Sequence, residues 1–268
     1  MPMRAFWLLM AIFLAAAPVW AGDKDAEFKE RLREALKENP GLILEVLEQN
    51  KAALYNIARR GAQEDQDRRW RHNLAKALEN PLKVAPDESR PIKGPKDARF
   101  TIIEYSDFMC GACSMGAENM AKLLAKHPKE LRLQMKHNPS DDFSRQLSVY
   151  YEAIARQDPQ KAWKFAEQVF KRQEELGRRK LEAVQEMLGE LKIDQARLSR
   201  DLADKSLEEY IKQDEAEANR LKFQSTPTFV INGVAITGAA PVNVFEQVMS
   251  QWNARHAKSP AKKKGGAQ

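Results

Sequence analysis

The stretch Phe100-Thr101-Ile102-Ile103-Glu104-Tyr105-Ser106-Asp107-Phe108-Met109-Cys110-Gly111-Ala112-Cys113 holds both cysteines of the 268-residue chain. Its first six residues, rich in β-branched and aromatic types, predict a strand, and the cysteines stand where that strand gives way to a helix. Far downstream, Ser225-Thr226-Pro227-Thr228-Phe229-Val230-Ile231-Asn232-Gly233 places a proline just ahead of a second strand. Two thiols two residues apart at a strand-to-helix junction, with a distant Thr-Pro-Thr, are the parts of a thiol–disulfide exchange site. A structural staple explains the pair poorly. The chain entropy a disulfide removes grows with its loop, and a two-residue loop removes little compared with about 3 kcal/mol for about 15 residues.

Working outward, the N-terminus predicts a leader rather than part of the fold. Arg4 precedes an apolar run from Phe6 to Ala17, and Val19-Trp20-Ala21 fits the small-residue rule for cleavage, so residues 1–21 read as a signal peptide. The run is shorter than the roughly 20 residues of a membrane span. Export into an oxidising compartment, the periplasm, is the expected location. Removing Arg4 reduces the formal charge from +6 to +5, and Lys258, Lys262, Lys263 and Lys264 carry four of those charges in a Lys/Gly/Pro/Ala tail expected over 257–268. The body is therefore near neutral, which argues against a nucleic-acid surface.

Residues 22–80 read as a charged, helical N-terminal region broken at Asn39-Pro40. Ile43, Leu47, Leu54 and Ile57 form a narrow apolar stripe close to a 3–4 spacing. A seam with so little core of its own needs a partner, and self-association through 22–80 is the favoured expectation over docking on the chain's own second domain. Residues 81–96, with Pro81, Pro86, Pro91 and Pro95, read as a linker. The domain of 97–256 begins with the Phe100 strand, a helix from about Cys113 to Lys126, and an alternating strand at Leu131, Leu133 and Met135. A helical block over about 144–222 includes a start signal at Asp158-Pro159 and a stripe of Leu181, Val184, Leu188 and Leu191. Thr228–Ile231, an Asn232-Gly233 turn, Val234–Thr237 and a helix from Val242 to Arg255 complete the chain.

That order resembles an α/β, thioredoxin-like fold with a helical insertion, preceded by an α-helical N-terminal region. The Glu104-Tyr105-Ser106-Asp107-Phe108 lead-in, the Cys-x-x-Cys, Lys161-Ala162-Trp163-Lys164-Phe165 and the Thr226–Gly233 segment together resemble the DsbA family of thiol:disulfide interchange proteins, over about Arg99 to Arg255. The helical N-terminus with its Asn39-Pro40 break is similar to the ScsC-like, suppressor-of-copper-sensitivity branch, whose members oligomerise through that region. Two positions depart from the family pattern. Gly111-Ala112 stands where members often have Pro then His or Tyr, and Ser225 stands where they often have Gly.

At the start of its helix, Cys110 is expected to be the exposed nucleophile, because unpaired N–H groups and the macrodipole favour a thiolate there. Cys113, one turn in, is expected to be shielded and to resolve the mixed disulfide. Gly111 and Ala112 leave the nucleophile open and give it no side-chain donor, which predicts a less oxidising couple than in a relative with His there. The resemblance implies a redox-active Cys110–Cys113 disulfide and a cis Pro227, with Thr226 presenting backbone to substrate. It also implies a carboxylate at Glu104 beneath the cysteines as proton relay for Cys113, with Lys136 a possible neighbour across the sheet. Asp107 reads as a turn residue. It implies no cofactor, and as partners exported proteins with thiols or disulfides and a membrane redox protein. His72, His127, His137 and His256 have no metal spacing and read as surface or cap residues. Met109, Cys110, Cys113 and Met115 put four soft sulfurs in seven residues, so a copper-handling protein binding Cu(I) is the rival reading. A monomeric DsbA-type oxidase is the second alternative to an oligomeric isomerase.

Overall fold

The computed structural model describes residues 21–257, with side chains from Asp25 onward. The expected leader, save Ala21, and the basic tail beyond Ala257 lie outside the described residues. The chain divides into two compact units, one to Arg68 and one from Arg69. The helices α1 (Ala21–Glu38), α2 (Pro40–Gln49) and α3 (Lys51–Glu79) come first, and α3 runs through the division.

In the first unit Pro40 opens α2, as the missing N–H and fixed φ of proline allow. A second interruption falls at Asn50, whose Nδ2 donates to the Val46 carbonyl at 2.8 Å and closes α2. The expected stripe ran straight through this point. An asparagine side chain that competes for backbone carbonyls ends a helix there. Ile43, Leu47, Leu54 and Ile57 remain 39–58% exposed. Among the described residues, no helix is long and apolar enough to cross a membrane.

The second unit is built on β1 (Ile92–Lys93), β2 (Phe100–Ser106), α4 (Gly111–Lys126) and β3 (Leu131–His137). The helical block follows as α5 (Asp142–Gln157), α6 (Pro159–Lys171), α7 (Gln173–Arg179), α8 (Leu181–Glu190), α9 (Gln195–Leu202) and α10 (Ser206–Arg220). Last come β4 (Thr228–Ile231), β5 (Val234–Thr237) and α11 (Val242–Ala257). The five strands stand in the order β1-β3-β2-β4-β5, with β2 and β3 parallel and the other pairs antiparallel. A parallel pair needs a crossover, and α4 supplies it. Asn232 and Gly233 both take positive φ in the β4–β5 turn, as a tight hairpin requires.

Burial on both faces explains why β2 reads as a nearly continuous apolar run. Phe100 and Ile102 pack with Met120 and Leu123 of α4 and Phe245 of α11, and with Leu74 and Leu78 from the end of α3. Ile103 and Tyr105 face the other way, onto Ala218 of α10 and Val230. The helical block has its own core, which includes Leu147, Ile154, Phe165, Val184 and Leu198 and reaches Phe108 and Cys113. Asp158 caps α6 with bonds from the N–H of Gln160 and of Lys161, as its sequence signal predicted. In α8, Met187 is buried in place of Leu181, which is 39% exposed at the first position of its helix.

Residues 81–96 are not a free linker. Leu82 N donates to the Gly233 carbonyl at 2.8 Å, Asp87 exchanges two bonds with the Gln134 side chain, and β1 pairs with β3. Arg90 is buried, bonding Glu152 (Nη2 to Oε1, 2.6 Å) and Asp214 (Nη1 to Oδ1, 2.8 Å).

Candidate active site

Strand β2 delivers its last residues into a tight turn before α4. The Asp107 carboxylate holds that turn. Its Oδ1 accepts from Met109 N at 2.8 Å and from the Ser144 hydroxyl, and its Oδ2 accepts from Ser140 N at 2.9 Å. Cys110 follows as the N-cap residue of α4 in extended conformation, its side chain making no capping bond. The first N–H groups of a helix have no partner within it, so the Cys110 sulfur stands beside donors that favour an anion.

The Thr226–Pro227 peptide bond is cis, and Cys110 Sγ lies 3.5 Å from the Thr226 carbonyl oxygen, to which the thiol donates. Helix α4 leans directly on this loop at Gly116. A Cβ there would meet Pro227 Cγ at 3.0 Å and Phe229 Cζ at 3.1 Å. Both cysteines are free thiols. They differ sharply in surroundings: Cys110 is half-buried, whereas Cys113 is 0% exposed. Burial pushes the Cys113 thiol up to about 12. The Asp107 N–H, which donates to its sulfur at 3.4 Å, offsets only part of that. Gly111 is exposed and Ala112 half-buried, leaving the approach to Cys110 open.

A cavity of about 50 Å³ has a lining that includes Glu104, Ala117, Met120, Met135, Trp163 and Phe170. Cys113, Ala117 and Met120 stand at i, i+4 and i+7, so they share one face of α4. Glu104 is buried and its Oε1 has no hydrogen-bond partner. Burial pushes its carboxyl up to about 7, with Ser106 opposing weakly. Lys136 is not its neighbour. In the sheet register Lys136 stands opposite Tyr105, on the other face, and its ammonium pairs with Glu217. Glu104 stands opposite Met135 instead.

His137 also departs from its expected surface place. It is buried, with Nε2 2.8 Å from Glu152 Oε1 and its ring 5.8 Å from that of Phe108. The available signal was the period of two in β3, which puts His137 on the same face as the buried Leu131, Leu133 and Met135. The four candidate copper ligands do not share one exposed surface: Met115 is 57% exposed, Met109 is half-buried and Cys113 is enclosed. Among the described residues no three His, Cys, Asp or Glu side chains are grouped to hold a metal ion.

One contact had no sequence signal. Gln173, in the polar run Arg172-Gln173-Glu174-Glu175, donates through Nε2 to the carbonyl oxygens of Phe108 (2.8 Å) and Cys110 (2.9 Å). Nearby, Ser114 Oγ donates to the Phe170 carbonyl at 3.0 Å.

Known proteins resemble this chain in sequence and in fold. A curated relative, the Na(+)/H(+) antiporter NhaA of Herminiimonas arsenicoxydans, is 30% identical over 66% of this chain but only 27% of its own length. The chain thus spans about a quarter of the first curated relatives it matches. The probable disulfide bond formation protein D of Bacillus anthracis is 28% identical over 52% of this chain and 68% of its own. Among solved structures, Wolbachia pipientis alpha-DsbA1 superposes with a TM-score of 0.58 at 20% identity, covering 68% of this chain and 98% of that one. Proteus mirabilis ScsC gives 0.55 at 18% identity and covers 87% and 98%. Those likenesses give the thioredoxin-like fold of the second unit with its helical insertion. Residues 87–250 match the family described as thioredoxin, and the chain belongs to that family.

Proposed function

We propose that this chain is a protein thiol–disulfide oxidoreductase of DsbA type, working at Cys110-Gly111-Ala112-Cys113 on exported proteins of the periplasm. The observation that carries this reading is the Cys110 sulfur at a helix N-cap, 3.5 Å from the carbonyl before cis-Pro227, with Cys113 enclosed behind it. In the reducing or reshuffling direction, the Cys110 thiolate attacks a substrate disulfide. One substrate sulfur leaves as thiolate and the other is held as a mixed disulfide. The Thr226 backbone lies beside the nucleophile to accept an extended peptide. Release requires Cys113 to attack Cys110. The Cys113 proton passes to Glu104, the Cys110–Cys113 bond forms, and the second substrate sulfur departs with the electron pair. A thiol pushed up to about 12 does not ionise unaided at neutral pH. A carboxyl pushed up to about 7 both takes and returns a proton there. Oxidation of substrate dithiols runs the same steps in reverse, with a membrane redox protein restoring the disulfide.

The N-terminal helices, whose stripe stays open within the first unit, support self-association through 22–80 and hence an isomerase that holds a misfolded substrate between paired sites. Residues 1–21 are the proposed export signal. Refolding of scrambled and of reduced ribonuclease, by the mature protein and by a form starting at Arg69, tests the assignment. Isomerase activity lost on truncation supports the oligomeric isomerase, and oxidase activity that survives truncation in a monomeric parent supports the DsbA-type oxidase instead. No exchange by either form, with Cys110 alkylating like a peptide thiol, rejects the function.

A further inference from the structure

The turn that carries Cys110 is gripped from outside the thioredoxin core. Helix α6 breaks at Arg172, and Gln173 opens α7 with its amide aimed at the two carbonyls that flank Met109 and Cys110. Both partners are acceptors only. The amide orientation is therefore fixed by chemistry, since an oxygen turned toward either carbonyl has no proton to offer. Both amide hydrogens are used. The bond from Ser114 Oγ to the Phe170 carbonyl ties the first turn of α4 to the same corner of the insertion.

The Cys110 carbonyl is also the first acceptor of α4, taking Cys113 N at 3.0 Å and Ser114 N at 3.3 Å. A donor on that oxygen polarises the peptide joining residues 110 and 111, whose N–H is the first unpaired donor of the helix. It also removes part of the partial negative charge next to the sulfur. We infer that Gln173 is a positioning residue for Cys110, one that holds the cysteine turn and favours the thiolate through the backbone rather than by touching sulfur. In a chain whose Gly111-Ala112 offers the nucleophile no side-chain donor, the helical insertion supplies the missing polarisation from behind. The inference rests on the exchange reading, because it concerns the reactivity of the same thiol.

The test is the pH profile of iodoacetamide alkylation of Cys110 in full-length reduced protein carrying Cys113→Ala, alone and with Q173A, Q173M or Q173E. Thermal unfolding of each variant is measured alongside. With Q173A and Q173M the profile moves to higher pH, and alkylation at pH 6 slows roughly threefold to tenfold, the span one hydrogen bond's net worth carries into a rate. With Q173E the loss grows as pH rises, because the protonated carboxyl still donates to one carbonyl whereas the carboxylate repels both. Unmoved profiles in Q173M and Q173E, whatever happens to thermal stability, overturn the inference and leave the exchange reading standing. A parent Cys110 that alkylates no faster than an unstructured peptide thiol defeats both.

Discussion

Glu104 and Glu152 are both buried in the second unit, and they are buried in opposite ways. Glu104 faces a small apolar cavity with one oxygen unpartnered, and burial raises its carboxyl to about 7. Burial would raise Glu152 too, but the His137 hydrogen bond and the Arg90 guanidinium outweigh it and hold the group down at about 2. The same side chain holds its proton more tightly than usual in one place and is half of an architectural clamp in the other. The difference lies in whether a counter-charge was buried with it. The clamp joins the segment before β1, the end of β3, α5 and α10, so it fastens the insertion to the sheet, while Glu104 lines the small cavity.

The largest effect expected from breaking this contrast is structural. Replacing Arg90 with Met strands Glu152 and Asp214 without their cation, costing roughly 3–5 kcal/mol in urea unfolding at pH 7. A loss below about 1 kcal/mol would mean that water reaches the clamp and that the distinction is misdrawn. Next is a pH effect. Below Glu104's ordinary value of 4.5 both the folded and the unfolded chain hold its proton. Above it the unfolded chain releases the proton first, and the folded chain follows only near 7. Wild-type stability relative to Glu104→Gln should therefore fall by about 3 kcal/mol as pH rises between those values, then level off. Glu152 has the opposite sign: its contribution is full above 4.5 and is lost as pH falls toward about 2. A flat wild-type-minus-variant curve for Glu104 would put that carboxyl in contact with solvent.

Kinetically, Glu104→Gln should slow Cys113-dependent release of a preformed Cys110 mixed disulfide about a hundredfold while leaving Cys110 alkylation unchanged. Equal slowing of both steps would assign Glu104 to structure instead. The smallest effect belongs to the edge of the cavity, where Lys93 and Glu167 pair at 2.8 Å with side chains 42% and 51% exposed. Lys93→Met should shift stability by less than about 1 kcal/mol, measured by the same urea unfolding.

Much of this was written in local sequence. The β-branched run of β2, the Asn232-Gly233 turn and the Asp158-Pro159 start each encode their own geometry within a few residues, so they were legible. The Cys-x-x-Cys and the Thr-Pro-Thr were legible as two segments that meet, and Glu104 as a buried acid through its place in the strand. What local sequence hid was pairing across long separations. Arg90 sits in a Pro-rich charged run that reads as solvent-facing, and its partners are 62 and 124 residues away. Lys136 pairs with Glu217 because β-strand alternation puts it on the face opposite Glu104, a matter of register. Gln173 carries no periodic or charge signal at all. Its role exists only once the α6–α7 corner has folded over the cysteine turn.

Gly116 shows how finely the cleft is gauged. Since it brings no side chain to the Pro227 ring, the bare backbone of α4 sets the gap between the Cys110 sulfur and the Thr226 carbonyl. A methyl group at this position is a shim, able to enter only if the proline loop gives by a few tenths of an ångström. The thiol meets the carbonyl at 3.5 Å, so a shift of that size in the loop would lengthen their contact. One absent carbon atom, on a residue that does no chemistry, fixes the calibre of the mouth.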